Sequence, residues 1–462
     1  MLQIIFSGFI TSTTIFMLGR IFLTFLKIED KKLDFIDLTL TGLFCFGVSS
    51  VLINFFFPLN KLVNTFTYII IILAYFYIFK LKKFNQIIIF ALFVSIISTF
   101  MLIKTDVYNP DSYLYHLPYI KILMEHKFIV GLANIHSRFG HVSIFQNISA
   151  SNVNYINDVY GILTIQLCLF SAILLEFIKN IKENYYIKKF DIIFYFCFFS
   201  ILFCLIRFYR FNDFGNDALV HLTTIVLIFY ILNFSQFKRK LIILIPLTCV
   251  FLFTQKIFYL VILGIPFILF FFIKNIKNYI KKNFYLIPIV LLFFLKSFLT
   301  TGCVIYPLPI SCFEQVDWYN INSGLNASNV SLSSEAWSKS WNTQTKMSMT
   351  EYISGFNWFE NWKINHFDKT IKMKISIFIF VIIFSFIISY ILEKNIKYIR
   401  KNCISIIKNK LILIFSLYLI LCLIIWFLKF PIFRYGLSFI FYILFLAFFF
   451  LTSTKIFNKI FI

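Results

Sequence analysis

The sequence lacks the patterns that mark a metal-binding or thiol-redox protein. Its nine cysteines include no pair at the spacing of a zinc site or a thioredoxin-like motif. No Asp-x-Asp motif lies within residues 104–155 or 301–374, the two long polar segments of the chain. We therefore predict no metal site and no cofactor.

The positive charge of the chain does not indicate a nucleic-acid-binding protein. The formal net charge is +23, but Lys and Arg fall in short clusters between apolar runs. There is no basic domain and no groove motif that combines basic and aromatic residues. The alternating pattern of a membrane β-barrel and the internal repeat of many transporters are absent too. Membrane lipids, rather than nucleic acid, are the partners that this composition predicts.

Long apolar runs dominate what is present. The chain is 60% hydrophobic with a mean hydropathy of +0.87, well above a typical soluble domain. Runs of about 17–25 apolar residues are long enough to cross a bilayer as helices. We predict an all-α, polytopic helical bundle, a single transmembrane domain over 1–462, with about thirteen transmembrane helices. They cover 2–26, 38–57, 62–80, 84–103, 156–178, 190–209, 217–234, 241–255, 257–273, 284–300, 375–393, 411–428 and 436–453.

The distribution of Lys and Arg predicts the orientation of this bundle. They concentrate in 27–37, 80–83, 179–189, 235–240, 274–283, 394–410 and the C-terminal tail. Under the positive-inside rule these segments face the cytoplasm. The polar segments 104–155 and 301–374 then form two large extracytoplasmic loops, which hold five of the six histidines. We interpret residues 1–26 as a retained helix, because no small-residue cleavage site follows them.

The first outer segment contains two candidate acids. Asp106 and Asp111 follow the fourth predicted span, and Asp111 stands in "NPDSYLYHLPY" beside His116, the third candidate catalytic residue. A partly buried carboxylate at this depth can serve as a general base. The alternative is that Asp111 caps the helix that its neighbours predict. The spacing alone leaves both open.

Cations near the outer ends of the spans are the second group of candidates. Arg138 can grip a phosphate or pair with Asp106 or Asp111. Burying a charge in lipid is costly, which makes the in-span cations informative. They can hold a lipid phosphate or extend to the headgroups. The candidate substrate-binding residues are Arg138, Arg207, Arg210, Asp217, Lys256, Lys296, Tyr306, Arg434 and Tyr435.

The second outer segment has two further open questions. Cys303 and Cys312 lie in a segment predicted to be extracytoplasmic, where a disulfide can form, although the spacing does not require one. Five tryptophans follow within 318–362. Tryptophan anchors helices at the membrane interface and also stacks on sugar rings. Both interpretations fit the sequence.

Three motifs carry a resemblance to a known group of proteins. "PDSYLYHLPYIKIL" with "GLANIHSRFG", "TGCVIYPLPISCF" and "FPIFRYG" resemble an uncharacterised bacterial family of multi-pass membrane proteins related to the GT-C glycosyltransferase superfamily. The resemblance covers about residues 100 to 440. It implies a GT-C-like fold, a polyprenyl-phosphate sugar as donor and an acidic base in the first large external loop. It assigns that role to Asp111 first and Asp106 second.

The predicted function follows from this resemblance together with the charges. We expect an inverting glycosyltransferase of the bacterial inner membrane, with its active face on the periplasmic or extracytoplasmic side. Its partners would be a polyprenyl-phosphate sugar, membrane lipids and a glycan or glycolipid acceptor. The alternatives are a surface-polysaccharide polymerase or ligase, and a transporter of lipids or oligosaccharides.

Overall fold

The chain folds as helices throughout the part that can be described. The computed structural model describes residues 1–28, 33–81, 83–103, 110–187, 191–206, 214–319, 326–342, 346–393 and 410–453. Within these ranges the regular structure is helical, apart from an isolated bridge between Cys303 and Cys312. The all-α class predicted from the apolar runs is confirmed.

The α-helices are numbered here in chain order. They are α1 Leu2–Phe25, α2 Phe35–Phe56, α3 Lys61–Phe79, α4 Phe84–Ile103, α5 Leu117–Glu125, α6 Ile144–Ser151, α7 Tyr160–Tyr186, α8 Ile192–Ile206, α9 Asp217–Leu232, α10 Lys238–Gln255, α11 Gly264–Ile268, α12 Ile276–Asn283, α13 Leu286–Thr301, α14 Ala327–Ser338, α15 Met349–Ile353, α16 Phe359–Trp362, α17 Lys372–Glu393, α18 Lys410–Lys429 and α19 Phe433–Ser453. A π-helix, Ser112–His116, leads directly into α5.

The long apolar helices are those of a membrane-spanning protein. Among the described residues, six helices are long and apolar enough to cross a bilayer, namely α1, α2, α3, α4, α7 and α18. The pair α12 and α13, bent by 48°, makes a seventh if it counts as one span. Each of the thirteen predicted segments contains helix in its described part.

Two predicted spans differ from the helices observed. The span predicted for 156–178 continues as α7 to Tyr186, because the charged residues beyond the apolar run keep helical periodicity. The span predicted for 257–273 divides into short 3-10 and α pieces around Gly264 and Pro266. A glycine and a proline close together weaken a continuous α-helix.

Close packing of small residues joins the first two helices. A Cβ atom on Gly19 would lie 1.8 Å from the carbonyl oxygen of Leu38, and one on Gly42 would lie 1.9 Å from that of Ile15. Only glycine permits this approach of the α1 and α2 backbones. Such contacts are typical of helix pairs in membranes, where packing drives association.

Charged side chains connect four helices at one end of the bundle. Lys240, at the start of α10, lies 2.8 Å from Asp37 and 2.5 Å from Asp34 at the start of α2. Tyr230 of α9 donates a hydrogen bond to Asp37, and Lys179 of α7 lies 3.6 Å from Asp34. The helix ends next to predicted cytoplasmic segments therefore meet at the same face.

The two outer segments lie against each other at the opposite end. The backbone of Gly131 donates to the carbonyl of Leu299, and the Asn134 side chain donates to the carbonyl of Trp318 at 2.7 Å. The Cys303–Cys312 disulfide closes a hairpin of residues 303–312 in the second segment. Asn152 bonds to Thr11 and Gly161, which fixes the first segment to α1 and α7.

Candidate functional site

Four charged residues from distant parts of the sequence meet at the end of the bundle where the outer segments lie. Arg434 lies 3.2 Å from Asp111, and its Nε atom lies 3.9 Å from Asp217. Lys256 lies 2.5 Å from the other oxygen of Asp217. We call these four residues, Asp111, Asp217, Lys256 and Arg434, the charged cluster. All four were candidates in the sequence.

Each member of the charged cluster stands at the end of a helix. Asp217 is the first residue of α9, where the helix dipole favours a negative charge. Lys256 follows the last residue of α10 and has extended backbone angles. The side chain of Asn216 donates to the carbonyl of Gln255 at 2.7 Å, and so holds the start of α9 beside the end of α10.

A tryptophan of the second outer segment and one of α18 hold the turn before Arg434 in place. Trp362 donates its indole hydrogen to the carbonyl of Pro431 at 2.8 Å, and Trp426 donates to the carbonyl of Ile432. These bonds fix the turn that leads into α19, whose second residue is Arg434. The outer segment thus positions the cation as well as covering it.

Aromatic rings surround the two cations. Lys256 lies 3.8 Å from the ring centroid of Tyr435, and the Arg434 guanidinium lies over Tyr435 and Trp337 at 5.4 and 5.9 Å. Ring faces attract cations most strongly where water is excluded. Trp337 is 53% exposed, so its ring also borders the open side of the site.

A second arm of the site leads from Asp111 to Arg138. Tyr115 forms a side-chain hydrogen bond with Asp111, and burial together with this carboxylate raises the pKa of the phenol. The Arg138 guanidinium lies 5.7 Å from the Tyr115 ring. The two roles that the sequence leaves open for Arg138, binding a phosphate or pairing with Asp106 or Asp111, both stay predictions. Asp111 itself makes no side-chain capping bond to the following helix.

His116 packs against Tyr115 and Gln146. Its ring packs against Tyr115 at 4.3 Å, and its Nδ1 atom lies 3.4 Å from the side-chain nitrogen of Gln146. His136 also stacks on Tyr115, at 6.4 Å. Tyr115 thus contacts His116, His136 and Asp111.

The charged cluster can bind an additional anionic group. Two carboxylates face Lys256 and Arg434, and Arg138 adds a third cation nearby. The Nε–H of Arg434 is buried and has no hydrogen-bond partner among the described residues. A guanidinium N–H that makes no hydrogen bond can donate to a phosphate oxygen.

Lys296 and Tyr306 do not join the charged cluster. Lys296 is almost fully buried, and its ammonium lies 2.5 Å from the side-chain oxygen of Asn147. Tyr306 lines a separate small cleft. Asp106, Arg207 and Arg210 lie outside the described residues.

The cleft lies next to the charged cluster. His141 lies at its edge and was not among the site residues predicted from the sequence. Its walls are formed by Gly140, Val142, Phe253, Ile257, Phe293, Phe294, Ser297, Val304 and Tyr306. The His141 ring packs against Tyr306 at 5.4 Å. Burial, with Arg138 and Lys256 nearby, lowers the pKa of His141 to about 3. The one feature of the sequence that could have pointed to His141 as a site residue is its position after Gly140 within a polar segment.

No metal centre is evident in the part of the chain that is described. There, no three His, Cys, Asp or Glu side chains are grouped as metal ligands.

Comparison with known proteins identifies the family of the chain. A family described as "Domain of unknown function (DUF8201)" matches residues 1–441, so the chain belongs to that family. Neither a curated protein nor a solved structure matches it.

Proposed function

We propose that this member of the DUF8201 family is a membrane glycosyltransferase. It transfers a sugar from a polyprenyl-phosphate donor to an acceptor outside the cytoplasm. The protein crosses the bacterial inner membrane with about thirteen helices. Its two long polar segments, 104–155 and 301–374, build the active face on the extracytoplasmic side.

Two features at opposite ends of the bundle support this orientation. The ion pairs of Lys240 with Asp34 and Asp37 gather helix ends that adjoin Lys- and Arg-rich segments. Such segments remain in the cytoplasm. At the other end, the Cys303–Cys312 disulfide suits an oxidising compartment.

The convergence of opposite charges carries the proposal. Sugar transfer from a lipid phosphate needs a base for the acceptor and cations for the departing phosphate. The charged cluster supplies both within a few ångströms, since Arg434 lies between Asp111 and Asp217.

Asp111 is the base in the proposed reaction. Its carboxylate accepts the proton of the acceptor hydroxyl while that oxygen forms a bond to the anomeric carbon of the donor sugar. The bond from the anomeric carbon to the phosphate oxygen breaks, and its electron pair stays on the phosphate. The attack takes place opposite the leaving group, so the anomeric configuration is inverted.

Lys256 and Arg434 bind the phosphate in both states of the donor. In the structure their charges face Asp217 and Asp111, and a bound phosphate would share these cations. The negative charge on the phosphate grows as the glycosidic bond breaks, so the cations stabilise the transition state. The exposed ring of Trp337 beside Arg434 offers a face for the sugar.

A transfer assay with a conservative variant of the base tests the proposal. Membranes containing the full chain are supplied with radiolabelled polyprenyl-phosphate sugars, and label in the extracted acceptor fraction is measured. Asp111→Asn should lower the transfer rate at least about 100-fold, as expected for loss of a general base. Asp158→Asn, which alters an exposed carboxylate paired with Lys61, should leave the rate unchanged.

Other outcomes of this assay are equally informative. Full transfer by Asp111→Asn would remove this residue as the base. A ladder of long products would indicate a polysaccharide polymerase. Movement of the labelled lipid across the membrane without a covalent product would indicate a transporter.

A further inference from the structure

A short helix, α12, lies at the end of the bundle opposite the charged cluster. The side chain of Asn283, its last residue, donates to the carbonyl of Ile242 at 3.0 Å. Ile242 follows two residues after Lys240, whose ion pairs join the helix ends next to the predicted cytoplasmic segments. The axis of α12 diverges by 48° from that of α13, which comes next in the chain. The helix therefore leaves the direction of the neighbouring span at this end.

Tyr279 fixes the rotation of α12 about its own axis. Its ring is buried and packs edge-on against Phe270 at a centroid distance of 5.3 Å. Its hydroxyl donates a hydrogen bond to the carbonyl of Pro266 at 3.0 Å. With 3.6 residues per turn, the directions of the other side chains of α12 follow from this contact.

The side of α12 next to Tyr279 is apolar and exposed. Ile276 and Ile280 lie one turn apart on this side, and Phe284 follows one turn later. These three side chains are 45%, 47% and 63% exposed, so the described protein leaves about half of each uncovered. At the end of a membrane-spanning bundle, the apolar medium that can cover them is the acyl-chain boundary of the leaflet.

Four exposed lysines accompany this apolar side. They are Lys274, Lys277, Lys281 and Lys282. Helical spacing places Lys277 and Lys281 directly beside the apolar side. Among the described residues, none of the four pairs with a carboxylate. The sequence also contains no acidic residue from position 218 to position 313. The positive charge of α12 is therefore not matched by carboxylates in this part of the chain.

We infer that α12 lies in the surface of the membrane and binds phospholipids with anionic headgroups. Its apolar side enters the leaflet as far as the boundary between headgroups and acyl chains, and its lysines bind the lipid phosphates there. A zwitterionic headgroup offers the same apolar contact without a net charge to attract the lysines. The inference does not rest on the proposed function, whose residues lie at the other end of the bundle.

Photo-crosslinking with two matched lipids tests the inference. The full chain is placed in nanodiscs of equal parts phosphatidylglycerol and phosphatidylcholine, and one of the two lipids carries a diazirine near the start of an acyl chain. Mass spectrometry measures the label on peptic peptides that contain Ile280. Phosphatidylglycerol should label them at least about fivefold more than phosphatidylcholine, the effect expected of a single lysine near an anionic surface. Peptides that contain Ile70, on the exposed apolar side of α3, give the reference ratio, which should be about one.

A charge variant connects the preference to α12. It combines three substitutions of exposed lysines, Lys277→Gln, Lys281→Gln and Lys282→Gln. The labelling ratio at Ile280 should fall to the reference ratio, because most of the charge that attracts the anionic lipid is gone. Thermal unfolding in detergent should match that of the wild type, since exposed substitutions change stability little.

Two further variants serve as controls. The first removes the same charge from exposed positions of the outer segments, by Lys121→Gln, Lys127→Gln and Lys363→Gln, and should keep the wild-type ratio. The second, Ile280→Asn, should lower labelling by both lipids, because the apolar side then enters the leaflet less favourably.

Three outcomes would overturn the inference. The first is equal labelling by the two lipids in the wild type, or a preference that survives the three substitutions in α12. The second is the absence of label from α12 with either lipid, which would show that the helix does not lie in the membrane surface. The third is a preference that inorganic phosphate abolishes at an ionic strength where sodium chloride preserves it, which would assign the lysines to a soluble anion.

Discussion

Lys256 and Asp217 form an ion pair, at 2.5 Å, that joins the end of one helix to the start of another. The side chains are 18% and 32% exposed, so water only partly screens the attraction. The pair has two functions in this account. It fixes α9 beside α10, and it holds the cation that later faces the lipid phosphate.

Asp217→Asn should separate these two functions. Loss of the carboxylate should destabilise the fold by about 1.5–3 kcal/mol, the range for a hydrogen bond to a charged group. Binding of polyprenyl phosphate should be retained, because the competing anion is gone while both cations remain. Thermal unfolding in detergent and lipid binding measure the two effects. A stable variant that no longer binds the lipid would contradict this assignment.

The sequence predicted most helix positions but not how the charged residues pair. Apolar runs fix where a helix begins and ends to within a few residues, as for α3, predicted at 62–80 and observed at Lys61–Phe79. The charged extension of α7 was missed because hydropathy, unlike helical periodicity, ends at the membrane surface.

The candidate site was predicted as a set of residues without its geometry. Asp111, Asp217, Lys256 and Arg434 were each singled out because ionisable groups near spans are costly. Which of them meet depends on how helices pack, and no local pattern records that. Lys296 is also an ionisable residue in a predicted span. The packing of α13 against α6, however, places its ammonium against the side-chain oxygen of Asn147.

Breaking the buried ion pairs at the other end of the bundle should destabilise the protein strongly. Lys240→Met leaves Asp37, which is fully buried, without its cation, and the expected cost is about 3–5 kcal/mol. The double variant Lys240→Met with Asp37→Asn should recover part of that loss. Thermal unfolding in detergent measures both. Lys61→Met, in an exposed pair, is the control, and an equal loss there would refute the prediction.

His141 should make stability depend on acid pH. Its pKa in the fold is about 3, against about 6.5 when unfolded. Between these values the unfolded chain binds the proton and the folded chain does not. Stability therefore falls as the pH drops below about 6.5, by up to about 1.4 kcal/mol per pH unit.

A comparison of histidine variants isolates this contribution. Unfolding curves measured from pH 7 to pH 4 should be flatter for His141→Phe than for the wild type. His126→Asn changes an exposed histidine of the same segment and should keep the wild-type slope. Identical slopes for all three proteins would show that His141 is protonated in the fold.

The disulfide offers a direct test of orientation. With segment 301–374 outside, a membrane-impermeant maleimide should label the partly exposed Cys312 of a Cys303→Ser variant in intact cells. Cys403, in the basic segment 394–410, should react only after the membrane is permeabilised. The reverse pattern would invert the proposed topology.

Binding of a lipid phosphate by the purified chain tests the central claim most directly. Native mass spectrometry can compare polyprenyl phosphate with polyprenol of the same length. The account predicts that the wild type prefers the phosphate at least about tenfold, and that Lys256→Met and Arg434→Met lose most of this preference, as expected for charge-assisted hydrogen bonds. Lys61→Met should keep it. Equal binding of both lipids by the wild type, or an intact preference in both cluster variants, would contradict the account.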